Sequence, residues 1–328
     1  MRHKLLRLLA ICTFGATFAS SAPTIAQSFT TFDPDSSVRT VAMSIDNRRV
    51  IAGYYWDANN VPHGFVRSKK GIITTFDVPG ALETTPDAIN SAGAVTGYYT
   101  DDTGYHGFVR SKKGIVTTFD VPGTVQGTTY AFSINDHGAI TGYYEGGSFV
   151  RSRKGDITTF GVPDAPYTIA VSINDGGAVT GYYYVLDDLP YSFVRSKKGT
   201  ITTFDVQDAP YGTQASSIND AGAITGFYSD ATGDHGFVLA ADGTTTTFDG
   251  PGASYTYPAS INGCGVVTGN YYDAHGLSHG FMRAVDGTIT TFDGPGASNI
   301  EPTSINGSGA ITGTYFVSEV GHGFVWTP

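Results

Sequence analysis

Short runs rich in Val, Ile, Thr, Tyr and Phe recur along the chain, and each is cut by Gly, Pro, Asn, Asp or Ser. Four such runs follow one another between residues 84 and 120: Thr84 to Asn90, Ala94 to Tyr99, His106 to Arg110, and Ile115 to Asp120. β-Branched and aromatic residues bounded by turn formers predict strands. No window sustains the apolar spacing of an amphipathic helix, and the chain holds only four glutamates (Glu83, Glu145, Glu301, Glu319). The pattern predicts an all-β protein with four strands per unit.

The unit repeats. Thr-Thr-Phe, as in Gly71–Ile72–Ile73–Thr74–Thr75–Phe76–Asp77, ends at Phe32, Phe76, Phe119, Phe160, Phe204, Phe248 and Phe292, with gaps of 44, 43, 41, 44, 44 and 44 residues. Four antiparallel strands at that period, seven times over, predict a seven-bladed β-propeller. The first copy, Thr30–Thr31–Phe32, has no strands before it, and the last unit stops at Trp326 without a fourth strand. The N-terminal strand is therefore expected to complete the C-terminal blade, which removes open edges. An open β-solenoid, the main competitor, would carry capping repeats and not two complementary fragments. Turns such as Asn219–Asp220–Ala221–Gly222 keep Gly last, where positive φ costs it nothing. One domain is expected over residues 27–328.

The repeated words His106–Gly107–Phe108, Ser217–Ile218–Asn219 with Gly222, and the closing Phe324–Val325–Trp326 resemble the bacterial extracellular repeat family called HAF, named for His-Ala-Phe. The resemblance covers all seven units. Gly replaces Ala, and most copies carry Arg (Arg67, Arg110, Arg195) where the family usually has Trp. It implies a secreted bacterial protein and brings no activity to particular residues.

The N-terminus fits export. Met1–Arg2–His3–Lys4–Leu5–Leu6–Arg7 is basic, Leu8 to Phe18 is mostly apolar, and Thr24–Ile25–Ala26 offers a cleavage site before Gln27. A signal peptide over residues 1–26 and a periplasmic or extracellular location are expected. The apolar run is too short to span a bilayer, so no transmembrane span is expected. Cleavage removes three basic side chains and no acidic ones, taking the formal charge from −10 to −13. That balance opposes nucleic-acid binding and favours solubility. A self-contained ring is expected to act as a monomer.

Repeated polar residues read as scaffold. His63, His106, His235, His279 and His322 occupy one place in five blades, with Ser148 and Ser192 read at that place in the other two. Copies so far apart around a ring cannot converge on one ion, so structural histidines, no metal and no cofactor are expected. Asp33, Asp77, Asp120, Asp205, Asp249 and Asp293 follow the repeated Phe and read as strand-end hydrogen-bond acceptors. The Ser of Ser-Ile-Asn has no nucleophile elbow and no unique His partner. The loops at Asp101–Gly104 and Asp230–Asp234 lack the spacing of a calcium loop.

Function is then expected in the departures from the repeat. Lys69–Lys70, Lys112–Lys113, Arg153–Lys154 and Lys197–Lys198 predict a positive arc on one face, with the acidic residues on the other. Loops before the first strands carry Tyr130, Tyr167, Tyr211, Tyr255 and Tyr257, and the insertion Tyr184–Tyr191 brings Asp187 and Asp188. Tyrosine gives apolar area plus a hydroxyl, which suits a glycan or peptide. The expectation is a non-catalytic binding or surface-interaction propeller with its ligand on the tyrosine-bearing face. The alternatives are a polysaccharide lyase or hydrolase using Glu145, Glu301, Asp187 or Asp188, and a purely structural envelope protein.

Overall fold

The computed structural model describes residues 27–123, 127–185, 189–207 and 209–328. The expected signal peptide, Asp187 and Asp188 lie outside the described residues. Within them every regular element is a strand, twenty-eight in all, numbered β1 to β28 along the chain. None of these residues forms a helix long and apolar enough to cross a membrane.

β2 (Arg39–Ile45), β3 (Ile51–Trp56), β4 (Pro62–Arg67) and β5 (Ile73–Phe76) form an antiparallel sheet in sequence order. Six sets of four consecutive strands follow this plan, running from β2 to β25. Two of them join as one eight-stranded sheet through a single parallel pairing of Asp234 with Tyr255. The remaining set holds β26 (Asn299–Ile305), β27 (Ile311–Val317), β28 (Val320–Thr327) and, at its outer edge, β1 (Ser28–Phe32). Thr31 lies opposite Phe324 in that antiparallel register.

Each set opens with an inner strand, and each inner strand carries a bulge. In β2 the register slips between Ala42 and Ser44, leaving Met43 unpaired. The bulge drives the backbone against the next strand, where a Cβ on Gly53 would come within 2.1 Å of the Val41 carbonyl oxygen. This close approach is why the second strand of every set keeps Gly at this place, also at Gly97, Gly142, Gly181, Gly226, Gly269 and Gly313. The inner strands are stitched sideways: Ile89 N–H donates to Ser44 Oγ of the preceding set, and Ile45 N–H to Ser304 Oγ of the last. Only Ala88 breaks the serine series. The last set also packs on the first through Ala310 and Val325, which share a core with Phe32, Ala42 and Phe65. The arrangement is propeller-like.

The core lies between the sets. Phe65, Phe108, Phe149, Phe193, Phe237, Phe281 and Phe324 are fully buried, and each meets the Phe of the preceding Thr-Thr-Phe edge-on, as Phe108 meets Phe76 at 6.1 Å. That second ring is covered from its far side. Arg110 stacks on Phe76 at 4.6 Å, and Arg67, Arg151, Arg195 and Arg283 stack likewise on Phe32, Phe119, Phe160 and Phe248. In the last set Trp326 lies flat on Phe292 at 4.4 Å. Arg and Trp thus perform one task, since both present a planar group to an aromatic face. The Thr-Thr-Phe triplet, expected to be an outer strand, also binds each set to the next.

Gly in His-Gly-Phe has an equally local cause. A Cβ on Gly107 would come within 2.6 Å of the Phe119 ring, and Gly64, Gly236, Gly280 and Gly323 are as crowded. The register corrects one reading here. Ser148 pairs with Tyr143 as Gly107 does with Tyr98, so Ser148 and Ser192 stand at the glycine position. The histidine position is filled by Gly147 and Tyr191. Both serines are buried, and each bridges to the next set: Ser148 Oγ donates to the Thr168 carbonyl (2.7 Å) and accepts from Ala170 N–H (2.8 Å).

Candidate functional site

The histidines and the aspartates are partners of one another. His63, His106, His235, His279 and His322 place Nδ1 within 2.9 Å of Asp77, Asp120, Asp249, Asp293 and Asp33. Each ring also lies against a tyrosine of the neighbouring strand, as His106 does against Tyr99 at 5.1 Å. On the other nitrogen, His106 meets Asp101 at 3.1 Å and His235 meets Asp230 at 3.2 Å. The two loops once compared with calcium sites are therefore turns closed on histidine. Asp230 accepts from Thr232 N–H and Oγ1, and these bonds, with His235, hold its carboxyl down at about 2. Burial alone would lower the His235 pKa, but Asp249 and Asp230 outweigh it and raise it above the ordinary imidazole value. No group of three or more His, Cys, Asp or Glu among the described residues has metal-holding geometry.

Antiparallel order puts the turns after each first and third strand on one face, and all other connections on the opposite face. On the hairpin-turn face all seven units line a single funnel, each contributing an Ile and the two residues after it. Asn side chains link neighbours around it: Asn90 donates to the Asn135 carbonyl, Asn135 to Asn174, and Asn219 to Asn262. Asp136, Asp175 and Asp220 stand in the same funnel and accept backbone N–H groups from the set before. The basic turns rim this same face, where Lys69 and Lys112 share a groove with Arg48. The acidic residues are thus not confined to the opposite face, where the strand-end aspartates lie: Asp136, Asp175 and Asp220 occupy the centre of the lysine-bearing face, inside its positive arc.

The opposite face carries the tyrosines, in two depths. Tyr167, Tyr211 and Tyr255 are its most exposed rings, at 53%, 53% and 46% of full accessibility, with Tyr105 at 39%. Tyr130 and Tyr257 lie two places further along their inner strands and are half-buried. Tyr130 is the centre of an aromatic group with Tyr98 (5.3 Å), Tyr105 (4.7 Å) and Tyr143 (6.1 Å), and burial lifts its phenol to about 12. The Tyr257 hydroxyl donates to Asp234 Oδ2 at 2.6 Å, while its ring stacks beside Tyr255.

Sequence reasoning missed the group between these two clusters. Tyr54 (β3) has its pKa raised by burial first, then by the charge of Asp87, with Arg39 opposing and Glu301 adding. The charges of two carboxylates and a guanidinium, from three different sets, thus bear on one phenol. Arg39 (β2) is held between the rings of Trp56 (4.7 Å) and Phe316 (5.2 Å). Glu301 (β26) has its carboxyl raised by burial, with Arg39 pulling the other way. Asp87, on β6 (Glu83–Ile89), is driven well above the usual carboxylate range by burial. Its charge also bears on Tyr98 of β7 (Val95–Asp101). Of the carboxylates named from sequence, Glu301 belongs here, on the exposed edge of the group, whereas Glu145 stands beside Tyr143.

No family model and no curated protein matches the sequence. Solved structures do resemble the fold. Virginiamycin B lyase from Staphylococcus aureus superposes with a TM-score of 0.61 at 13% identity, over 92% of this chain and 100% of that one. The β-propeller domain of the trilobed protease from Pyrococcus furiosus, described as an open velcro topology, gives 0.62 at 9% identity over 88% and 94%. Puromycin hydrolase gives 0.59 at 9% identity over 88% of this chain and 51% of its own. At such identities the likeness establishes an all-β, propeller-like fold and nothing about chemistry.

Proposed function

We propose that the chain is a secreted, single-domain, seven-bladed β-propeller, closed by β1 in the last blade, that binds a glycan or peptide on its tyrosine-bearing face. The observation that carries this reading is the packed aromatic surface, the Tyr98–Tyr105–Tyr130 cluster and Arg39 held between Trp56 and Phe316, with the charges of Asp87 and Glu301 bearing on Tyr54. Rigid aromatic surface with a few polar groups of fixed direction is what ligand sites use for affinity and orientation. Exposed Tyr167, Tyr211 and Tyr255 extend that surface outward, and export agrees with the basic and apolar N-terminus. The protein acts as a monomer without a cofactor, and its negative charge turns it away from nucleic acid. Glycan and peptide arrays probed with the wild type and with Tyr167→Ala, Tyr211→Ala and Tyr257→Ala test the reading. Binding that the folded variants keep in full would remove its basis.

A second reading is enzymatic. Asp87 and Glu301 both have raised carboxyl pKa values and both act on one phenol, and such groups suit general acid and base chemistry on a polysaccharide. Release of oligosaccharide products that Glu301→Gln abolishes would establish it; intact polysaccharide after prolonged incubation would exclude it.

A further inference from the structure

Asp87 occupies the bulge position of β6, where the register slips between Pro86 and Ala88. At the same position the other six inner strands carry Met43, Phe132, Val171, Ser216, Ala259 and Thr303, so this carboxylate is alone in its tier. The residue is half-buried, and its inward Oδ2 has no hydrogen-bond partner. Arg39, whose charge reaches the same Tyr54, lies between the rings of Trp56 and Phe316. An ionised carboxylate left this way is strongly disfavoured, so burial holds the group protonated until a cation completes it.

We propose that Asp87 anchors an organic ammonium group of the ligand, a lysine side chain or a peptide amino terminus, with Tyr54 and Tyr98 as the walls around it. Three observations select that class. A divalent metal needs several oxygen ligands, and no such group exists among the described residues. A guanidinium prefers both oxygens of a carboxylate in a planar fork, whereas one orphan Oδ2 suits the compact charge of an ammonium. Tyrosine faces attract a cation and cover its alkyl stem. The anchor rests on the reading of the tyrosine-bearing face as a binding surface and narrows the ligand to a peptide or other amine.

The test uses the whole protein and two peptides of one sequence, both blocked at the N-terminus, one with a free lysine and one with that lysine acetylated. Calorimetric titration should give roughly tenfold tighter binding of the free-lysine peptide. Its heat should depend on the buffer, because the Asp87 carboxyl gives up its proton as the ammonium arrives. Asp87→Asn should bind both peptides equally and release no proton. If that variant does not fold, Asp87→Ser, with the residue already present at position 216, reads the same comparison. Equal affinity of the two peptides for the wild type, a preference that survives loss of the carboxylate, or no binding of either peptide would each overturn the anchor. Array binding lost with the tyrosine variants is a separate readout, so the wider reading stands or falls without this one.

Discussion

Asn306 donates its side-chain amide to the backbone carbonyl of Asp46 at 3.0 Å, joining residues 260 positions apart in the chain. The same bond runs from Asn90 to Asn135, Asn135 to Asn174, Asn174 to Asn219, Asn219 to Asn262 and Asn262 to Asn306. Asp46 has no amide to offer and breaks the series. Its carboxylate instead accepts from the N–H groups of Arg48 and Val50. Asn135→Ala should lower stability by about 2 kcal/mol, because the Asn174 carbonyl and Ala139 N–H both lose a buried partner. Asp46→Asn should raise the melting temperature by restoring the seventh link, since the Arg48 pair it gives up is 41% exposed on the arginine side and worth little. A lower melting temperature for Asp46→Asn would contradict the ring.

Gly107 is fixed by the Phe119 ring beneath it. Gly107→Ala, although it writes the His-Ala-Phe word of the repeats that the sequence resembles, should destabilise the chain by roughly 1–3 kcal/mol through overpacking. Chemical denaturation measures this directly, and an unchanged midpoint would mean that the Phe ring yields.

Arg110 and Trp326 do the same stacking work in different sets. Arg110→Ala should cost about 1 kcal/mol, while Arg110→Trp should recover most of that loss. Equal losses for the two variants would show that the guanidinium charge and not its flat face is what matters.

His235 gives the stability a pH dependence of known sign. Its folded pKa lies above the unfolded imidazole value of 6.5, so the protonated ring stabilises the fold. That contribution is complete below the unfolded value and is lost as pH rises through the folded one. The melting temperature should fall as pH climbs through that window, and Asp249→Asn, which removes the 2.8 Å partner, should flatten the slope. A melting temperature that rises over the same range would reverse the assignment.

How much of this was legible follows from how strongly each residue obeys the repeat. Phe76 and its copies announced seven four-stranded units, because identical surroundings select identical residues. The bulge hid the rest. It lets Met43 or Asp87 leave the pairing register while Ser44 and Ile89 keep theirs, so a reader counting from Ser-Ile-Asn cannot tell which side chain turns inward. The available signal was Asp87 itself, the one acidic residue in its column. Arg39 and Glu301 were harder still, since they come from opposite ends of the chain. Tyr54 and Tyr98 belong to the repeated Gly-Tyr-Tyr word and read as scaffold, although each contributes to the site. Tyr191 was passed over through the one-place shift that put Ser192 at the histidine position.

The proposed function assigns binding to the tyrosine-bearing face and none to the hairpin-turn face. A matched pair of folded variants tests it on the same glycan and peptide arrays: Tyr54→Ala with Tyr98→Ala on the tyrosine-bearing face, and Lys112→Ala with Lys113→Ala on the hairpin-turn face. The first pair should lose most binding, of the order of tenfold or more if these rings are central to the contact, and the second should match the wild type. Binding lost with the lysines and kept without the tyrosines would place the ligand on the hairpin-turn face instead.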